Sequence, residues 1–197
     1  MTSDCLEFLT ALAAPYCHQL PERSQIVDGV TAAFCHRCVG IHIGFLSGAV
    51  AAFRPIHASR SAWGVAFALI VVAAVDAIGL TSGPWGRSLS GAAGGLGLGL
   101  VAAPLVARRL MPPTTTSESD GRVRGLVAAS LLGGGVASGA PEFGVPVLAS
   151  VFALVGVLAL QFTLFTLGLG TLLDGHRRLA GVALVASLAT MALLGRA

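Results

Sequence analysis

Cys17 and His18, followed shortly by Cys35, His36, Arg37 and Cys38, gather thiols and imidazoles in one stretch of an otherwise greasy chain. Two cysteines separated by two residues are the spacing of a zinc knuckle and equally of a thiol redox pair, because both uses need two sulfurs brought onto one centre by a single turn of backbone. On a helix, positions 35, 38 and 42 share a narrow arc, so His42 is expected to point with both thiols about one turn deeper, while His36 points away. Three thiolates and one imidazole close a tetrahedral zinc site. Adjacent Cys17 and His18 do not easily reach one ion together from regular backbone, so the expected ligands are Cys17, Cys35 and Cys38, with His18 or His42 as the fourth. Zinc is the expected ion and iron the alternative. A closed site of this kind is structural, whereas a site with fewer protein ligands and one water can polarise a substrate. The plain alternative is three inert buried cysteines, since a free cysteine packs as a small hydrophobe. Against it, histidine and arginine at the end of a membrane helix are costly to desolvate and usually serve a function.

Asp76 and Arg87 form a second constellation. A carboxylate inside an apolar span is expected to pair with a cation or to lie on a proton or transport path, and Arg37 and Arg87 are the cations within reach. A fold-stabilising ion pair and a catalytic role for Asp76, Arg37 or Arg87 are equally open on these residues. Arg23, Arg37 and Arg87 together would suit an anionic small molecule or a lipid phosphate.

The elements that must position these groups follow from composition. Of 197 residues, 55% are hydrophobic and 11% charged, and the mean hydropathy is +0.85, which places the chain in the bilayer. The expected fold is all-α, a polytopic bundle of about six spans near 33–53, 62–82, 89–110, 125–143, 146–173 and 178–195, each close to the roughly 20 residues a crossing needs. Leu6, Leu9, Leu12, Ala13 and Tyr16 recur at helical spacing and predict a short interfacial helix ahead of them. The chain divides into a motif-bearing half (1–110), a cytoplasmic linker (111–124) and a plainer C-terminal half (125–197). Gly40, Gly44 and Gly48 on the first span, and Gly91, Gly95 and Gly99 on the third, are small-residue stripes on which these two helices are expected to pack.

All twelve basic residues are arginine. With six spans, eight of them fall in the loops after the first, third and fifth helices, so the positive-inside rule places those loops in the cytoplasm and both termini outside the cell (inner) membrane. Dispersed at helix ends, these charges do not make a surface that tracks a nucleic-acid backbone. Nor does the chain carry a phosphate-binding glycine loop, a nucleophilic serine motif or a dinucleotide fingerprint.

The series Cys17-His18-Gln19, Pro21-Glu22-Arg23-Ser24, Gly29 and Cys35-x-Arg37-Cys38-x-Gly40, with Gly44, resembles the signature of a family of small prokaryotic polytopic membrane proteins of unknown function. Asp76, Arg87 and Gly91 resemble that family's second motif. The resemblance covers about the first hundred residues and implies a polytopic membrane protein without supplying an activity. The chain departs from the pattern at His42, where an aromatic is expected, at Ala77, where glycine is usual, and in Gly83-Pro84-Trp85-Gly86 before Arg87. The first departure favours His18 over His42 as the fourth ligand.

Three functions remain open on the sequence. In one, a metal site organises an outward-facing pocket for an anionic ligand. In another, Cys35 and Cys38 exchange disulfides with Cys17 or Cys5 and pass electrons to a quinone. In the last, the metal staples a structural subunit without catalysis.

Overall fold

Pro15 has no N–H to donate and disfavours helical backbone at Ala14, so the first helix ends just before it. Helix α1 (Thr2–Ala13) buries Leu6, Leu9 and Ala13, which recur three and four residues apart along one face. The chain then makes one further turn, in which the N–H groups of Tyr16 and Cys17 both donate to the Ala13 carbonyl, at 2.8 and 3.1 Å. This computed structural model describes residues 2–17, 19–27, 30–52, 60–77, 83–110, 125, 128–129, 132–133 and 146–173.

After a 3-10 turn at Pro21–Arg23, strands β1 (Ser24–Val27) and β2 (Val30–Cys35) pair antiparallel, with Ser24 opposite Cys35 and Val27 opposite Val30. The hairpin corrects the all-α expectation. β-Branched Ile26, Val27, Val30 and Thr31 flank Asp28-Gly29, a dipeptide that two-residue hairpin turns favour. Residues 33–35, expected to begin the first span, instead finish β2. Helix α2 therefore starts at His36 and runs to Ala52, 17 residues in all.

Helices α3 (Arg60–Ala77), α4 (Pro84–Leu110) and α5 (Pro146–Leu173) follow the expected second, third and fifth spans. Pro84 and Pro146 each stand at the first helical position, where a missing N–H costs nothing. Among the described residues, α4 and the Val147–Leu169 part of α5 are long and apolar enough to cross a bilayer, and Trp63–Asp76 in α3 is a shorter apolar helix. Two such helices thus stand where six spans were expected. Most of the fourth expected span, all of the sixth and the 111–124 linker lie outside the described residues.

Helices α2 and α4 pack on the two glycine stripes, as expected. A Cβ added at Gly40 would meet the backbone of Ser88 and Ala92, and one at Gly48 the backbone of Leu96 and Leu100. Reciprocally, Gly91 faces Arg37 and Ile41, and Gly99 faces Phe45 and Ala49. The numbering rises together along both helices, so they are parallel. In lipid, where apolar surface gains little by leaving its surroundings, this backbone-to-backbone approach supplies the dispersion contacts that hold helices together. Helix α3 runs antiparallel to α4, with Gly94 against Ala73 and Gly97 against Ala66 and Ile70. Helix α5 reaches α2 where Gly156 meets the His42 backbone. The core lies between α1, β2, α2 and α5 and includes Leu9, Phe34, Val39, Ile43, Ala153 and Val157. Outward faces are strongly apolar, with Phe67 and Val72 on α3 and Leu158, Phe162 and Phe165 on α5 all exposed, as lipid contact requires.

Candidate metal centre

Cys35 is the last residue of β2 and stands immediately before the first residue of α2, so its side chain occupies the capping position of that helix. The N–H groups of Arg37 and Cys38 in the first turn of α2 hydrogen-bond to its sulfur, as a capping side chain does for otherwise unpaired N–H groups. Cys38 follows within the same turn. Cys17 arrives from the turn after α1, and its Sγ accepts the Cys35 N–H at 3.1 Å. The three Sγ atoms, one from the turn after α1 and two from the β2–α2 junction, all lie within 4.8 Å of one another.

Cys17 is buried, and Cys35 and Cys38 are partly so. Hydrogen bonding from the Cys17 thiol, then from that of Cys38, holds Cys35 far below the ordinary thiol range. Cys17 is correspondingly pushed up, chiefly by its hydrogen bond to Cys35. Cys35 is thus the thiol that ionises first, and a thiolate is the form that binds metal.

Gln19, the third residue of the Cys17-His18-Gln19 series, fixes this geometry. Gln19 has a φ of 51°, the left-handed region that side chains other than glycine rarely adopt. From there its Nε2 donates to the Thr10 carbonyl of α1 at 2.6 Å and to the Ala33 carbonyl of β2 at 3.1 Å. Thr10 Oγ1 adds a 3.3 Å bond to the Thr31 carbonyl. Gln19 therefore clamps the end of α1 to β2, which seats Cys17 against Cys35. The positive φ cannot be read from sequence, because glutamine gives no sign of it. Gln19→Ala is expected to cost about 1–3 kcal/mol through the loss of two hydrogen bonds that tie α1 to β2, although the Thr10 carbonyl keeps the Ala14 N–H at 3.0 Å. It should also weaken metal binding by roughly 10- to 100-fold, as loss of supporting hydrogen bonds around a metal typically does. Thermal unfolding and a competitive chelator titration measure the two effects.

His42 is buried edge-on against Phe34, with ring centroids 5.6 Å apart and planes at 69°. It does not join the group of three thiols. The expected arc through 35, 38 and 42 fails at its first member, because Cys35 ends a strand instead of lying on the helix. The His42 Nδ1 is buried and has no hydrogen-bond partner among the described residues. His18 lies outside the described residues. Cys5 is exposed on α1, more than two turns before Cys17 and apart from the three-thiol group.

Behind the thiols, the first turn of α2 presents Arg37 toward α3 and α4. Its Nη2 lies 2.9 Å from Asp76 Oδ2 and 3.3 Å from the Asp76 carbonyl. The Ser90 hydroxyl donates to the same carboxylate oxygen and, at 3.2 Å, to the Arg87 carbonyl. Of the two cations expected beside Asp76, Arg37 is thus the one that forms the ion pair. Arg87 contributes backbone, closing the first turn of α4 through its N–H to the Gly83 carbonyl at 3.1 Å. Arg23 is exposed on the 3-10 turn. Ser88 ties the two sides together by donating to the His36 carbonyl at 3.3 Å.

Residues 17–101 match the family model described as a predicted membrane protein (DUF2085). The resemblance drawn from the cysteine motif therefore holds over this stretch, which contains all three thiols, Gln19, Asp76 and the two glycine stripes. That description and the two helices long enough to span agree on a membrane protein. No curated protein and no solved structure matches the chain.

Proposed function

We propose that this chain is an integral membrane protein that holds one zinc ion between Cys17, Cys35 and Cys38 at one end of its helix bundle. The observation that carries the proposal is the convergence of three sulfurs within 4.8 Å, with Cys17 brought from the turn after α1 onto the Cys35–Cys38 pair. Backbone N–H groups directed at two of those sulfurs support it, since they stabilise thiolates. Thiolate-rich sites select zinc among common divalent ions and leave hard cations such as magnesium unbound. His18, next to Cys17 in the motif, supplies the fourth ligand and closes a site that staples α1, the hairpin and α2 together. A closed site of this type is structural. Of the three arginines expected to share an anion, Arg37 is committed to Asp76, so an anionic headgroup at this end would depend on Arg23 and Arg87.

The wider topology is the six-span bundle with the thiol end and both termini outside the cytoplasm. Ala149 and Ser150 of α5 lie beside His36 and Val39 of α2 while Gly156 meets His42, so α5 runs in the same direction as α2 and α4, and the chain leaves α4 at one end of the bundle and enters α5 at the other, which supports a crossing between them. Leu132, within the fourth expected span, packs on the core.

Metal content tests the proposal, on protein purified in mild detergent without chelator or polyhistidine tag. About one zinc per chain is expected, lost in Cys17→Ser and Cys38→Ser. Absence of metal, with a disulfide among the three thiols that dithiothreitol opens and a quinone restores, would establish the thiol oxidoreductase instead.

A further inference from the structure

Ser24 opens β1 and Cys35 ends β2, and the two lie directly opposite each other. Opposite residues of an antiparallel pair present their side chains on one face, with Cβ atoms about 4.5–5.5 Å apart. The Ser24 N–H turns to the Pro21 carbonyl and the Cys35 N–H to Cys17 Sγ, so neither is spent on the other strand. A pair without mutual backbone bonds is the kind that brings its side chains closest. The Ser24 hydroxyl therefore stands beside the sulfur to which the other two thiols hydrogen-bond.

Ser24 is 8% exposed, and its Oγ is buried without a hydrogen-bond partner among the described residues. A hydroxyl buried unpaired is costly, so a partner is expected at this position. At the neighbouring sulfur, the thiols of Cys17 and Cys38 donate to Cys35, together with the N–H groups of Arg37 and Cys38. Zinc takes the place of the two thiol protons, so those donors disappear on binding and the N–H groups remain. A zinc ion with three thiolates and a neutral imidazole carries one net negative charge, which in a partly buried site calls for donors directed at sulfur. The hydroxyl hydrogen rotates to suit its acceptor, and no backbone has to move. We propose that Ser24 is a positioning residue of the metal centre, its hydroxyl donating a hydrogen bond to the zinc-bound Cys35 thiolate. The inference deepens the metal reading above and rests on it.

The test measures zinc affinity of the full chain in detergent, by competition with a chelator, in the unaltered protein, Ser24→Ala and Ser24→Thr. Ser24→Ala removes only the oxygen and should weaken zinc binding by roughly 10- to 100-fold. Ser24→Thr keeps the hydroxyl and should bind as the unaltered protein does. Cobalt(II) in place of zinc reads the sulfur directly, because a hydrogen bond lowers the energy of the thiolate electrons that the charge-transfer bands excite. Those bands should move to longer wavelength in Ser24→Ala and stay in place in Ser24→Thr, a shift that a packing role would not produce. The cobalt spectrum of Ser24→Ala is sufficient by itself if the extra methyl of threonine keeps that variant from folding. Equal zinc affinity in Ser24→Ala and the unaltered protein, or bands that do not move, would overturn the inference and leave the metal reading intact. So would weakened binding that folded Ser24→Thr does not restore. An unaltered protein that binds neither metal would overturn both.

Discussion

Gly95→Leu is expected to destabilise the bundle strongly, because no rotamer of leucine can avoid the contact its Cβ makes. That atom would meet the Ile41 carbonyl oxygen and lie 2.7 Å from the Phe45 nitrogen, both backbone atoms of a neighbouring helix. A flexible side chain can move aside, but a helix backbone moves only as a whole, so α2 and α4 must separate along their shared seam. Overpacking in a tight core costs about 1–3 kcal/mol and occasionally more, and this site belongs at the upper end. For a chain of this size about 3 kcal/mol lowers the unfolding midpoint by roughly 10 °C. Gly64→Leu is the matched control, because a Cβ there meets nothing within 4 Å. It should change stability by no more than about 0.5 kcal/mol. Thermal unfolding in detergent reads both. Equal midpoints would mean that the glycine stripes do not hold the helices together.

Arg37→Met should be nearly as damaging, for an electrostatic reason. Asp76 is 4% exposed, and its carboxylate is shared by Arg37 and Ser90. Removing the guanidinium takes the Arg37 cation away from a buried carboxylate, a change that costs about 3–5 kcal/mol in comparable pairs. The Arg37 side chain is 29% exposed, so water offsets part of that loss and the lower end is expected. Replacing both partners, Arg37→Met with Asp76→Leu, should recover most of the stability, because no charge is then left stranded. If the double variant is as unstable as the single one, the pair contributes through its geometry more than through its charge.

The sequence was most informative where periodicity and burial agree. Glycines at every fourth position on two spans named the α2–α4 seam correctly, since close backbone approach in lipid leaves small residues as its only trace. The bounds of α5 were equally clear, because 28 residues without a charge fit little else. The hairpin is harder to read, because the apolar run from Ala33 onward has the length and composition of a helix. Asp28-Gly29 between β-branched residues is the signal that marks it. The difference carries into the site, since Cys35 on a strand end does not share a helical arc with His42. Cys17, Cys35 and Cys38 converge despite it, because their meeting depends on how α1, the hairpin and α2 join. The choice of Arg37 over Arg87 as the partner of Asp76 was hidden for another reason. It depends on which helix faces which, and spacing within one segment does not carry that information.

X-ray absorption at the zinc edge of the purified protein addresses the central claim most directly, because it counts the atoms bound to the metal. Three sulfurs at about 2.3 Å and one nitrogen at about 2.0–2.1 Å are the predicted shell, with one sulfur lost in Cys35→Ser if any metal remains. A shell of oxygen and nitrogen without sulfur, or no zinc at all, would contradict a metal held by Cys17, Cys35 and Cys38.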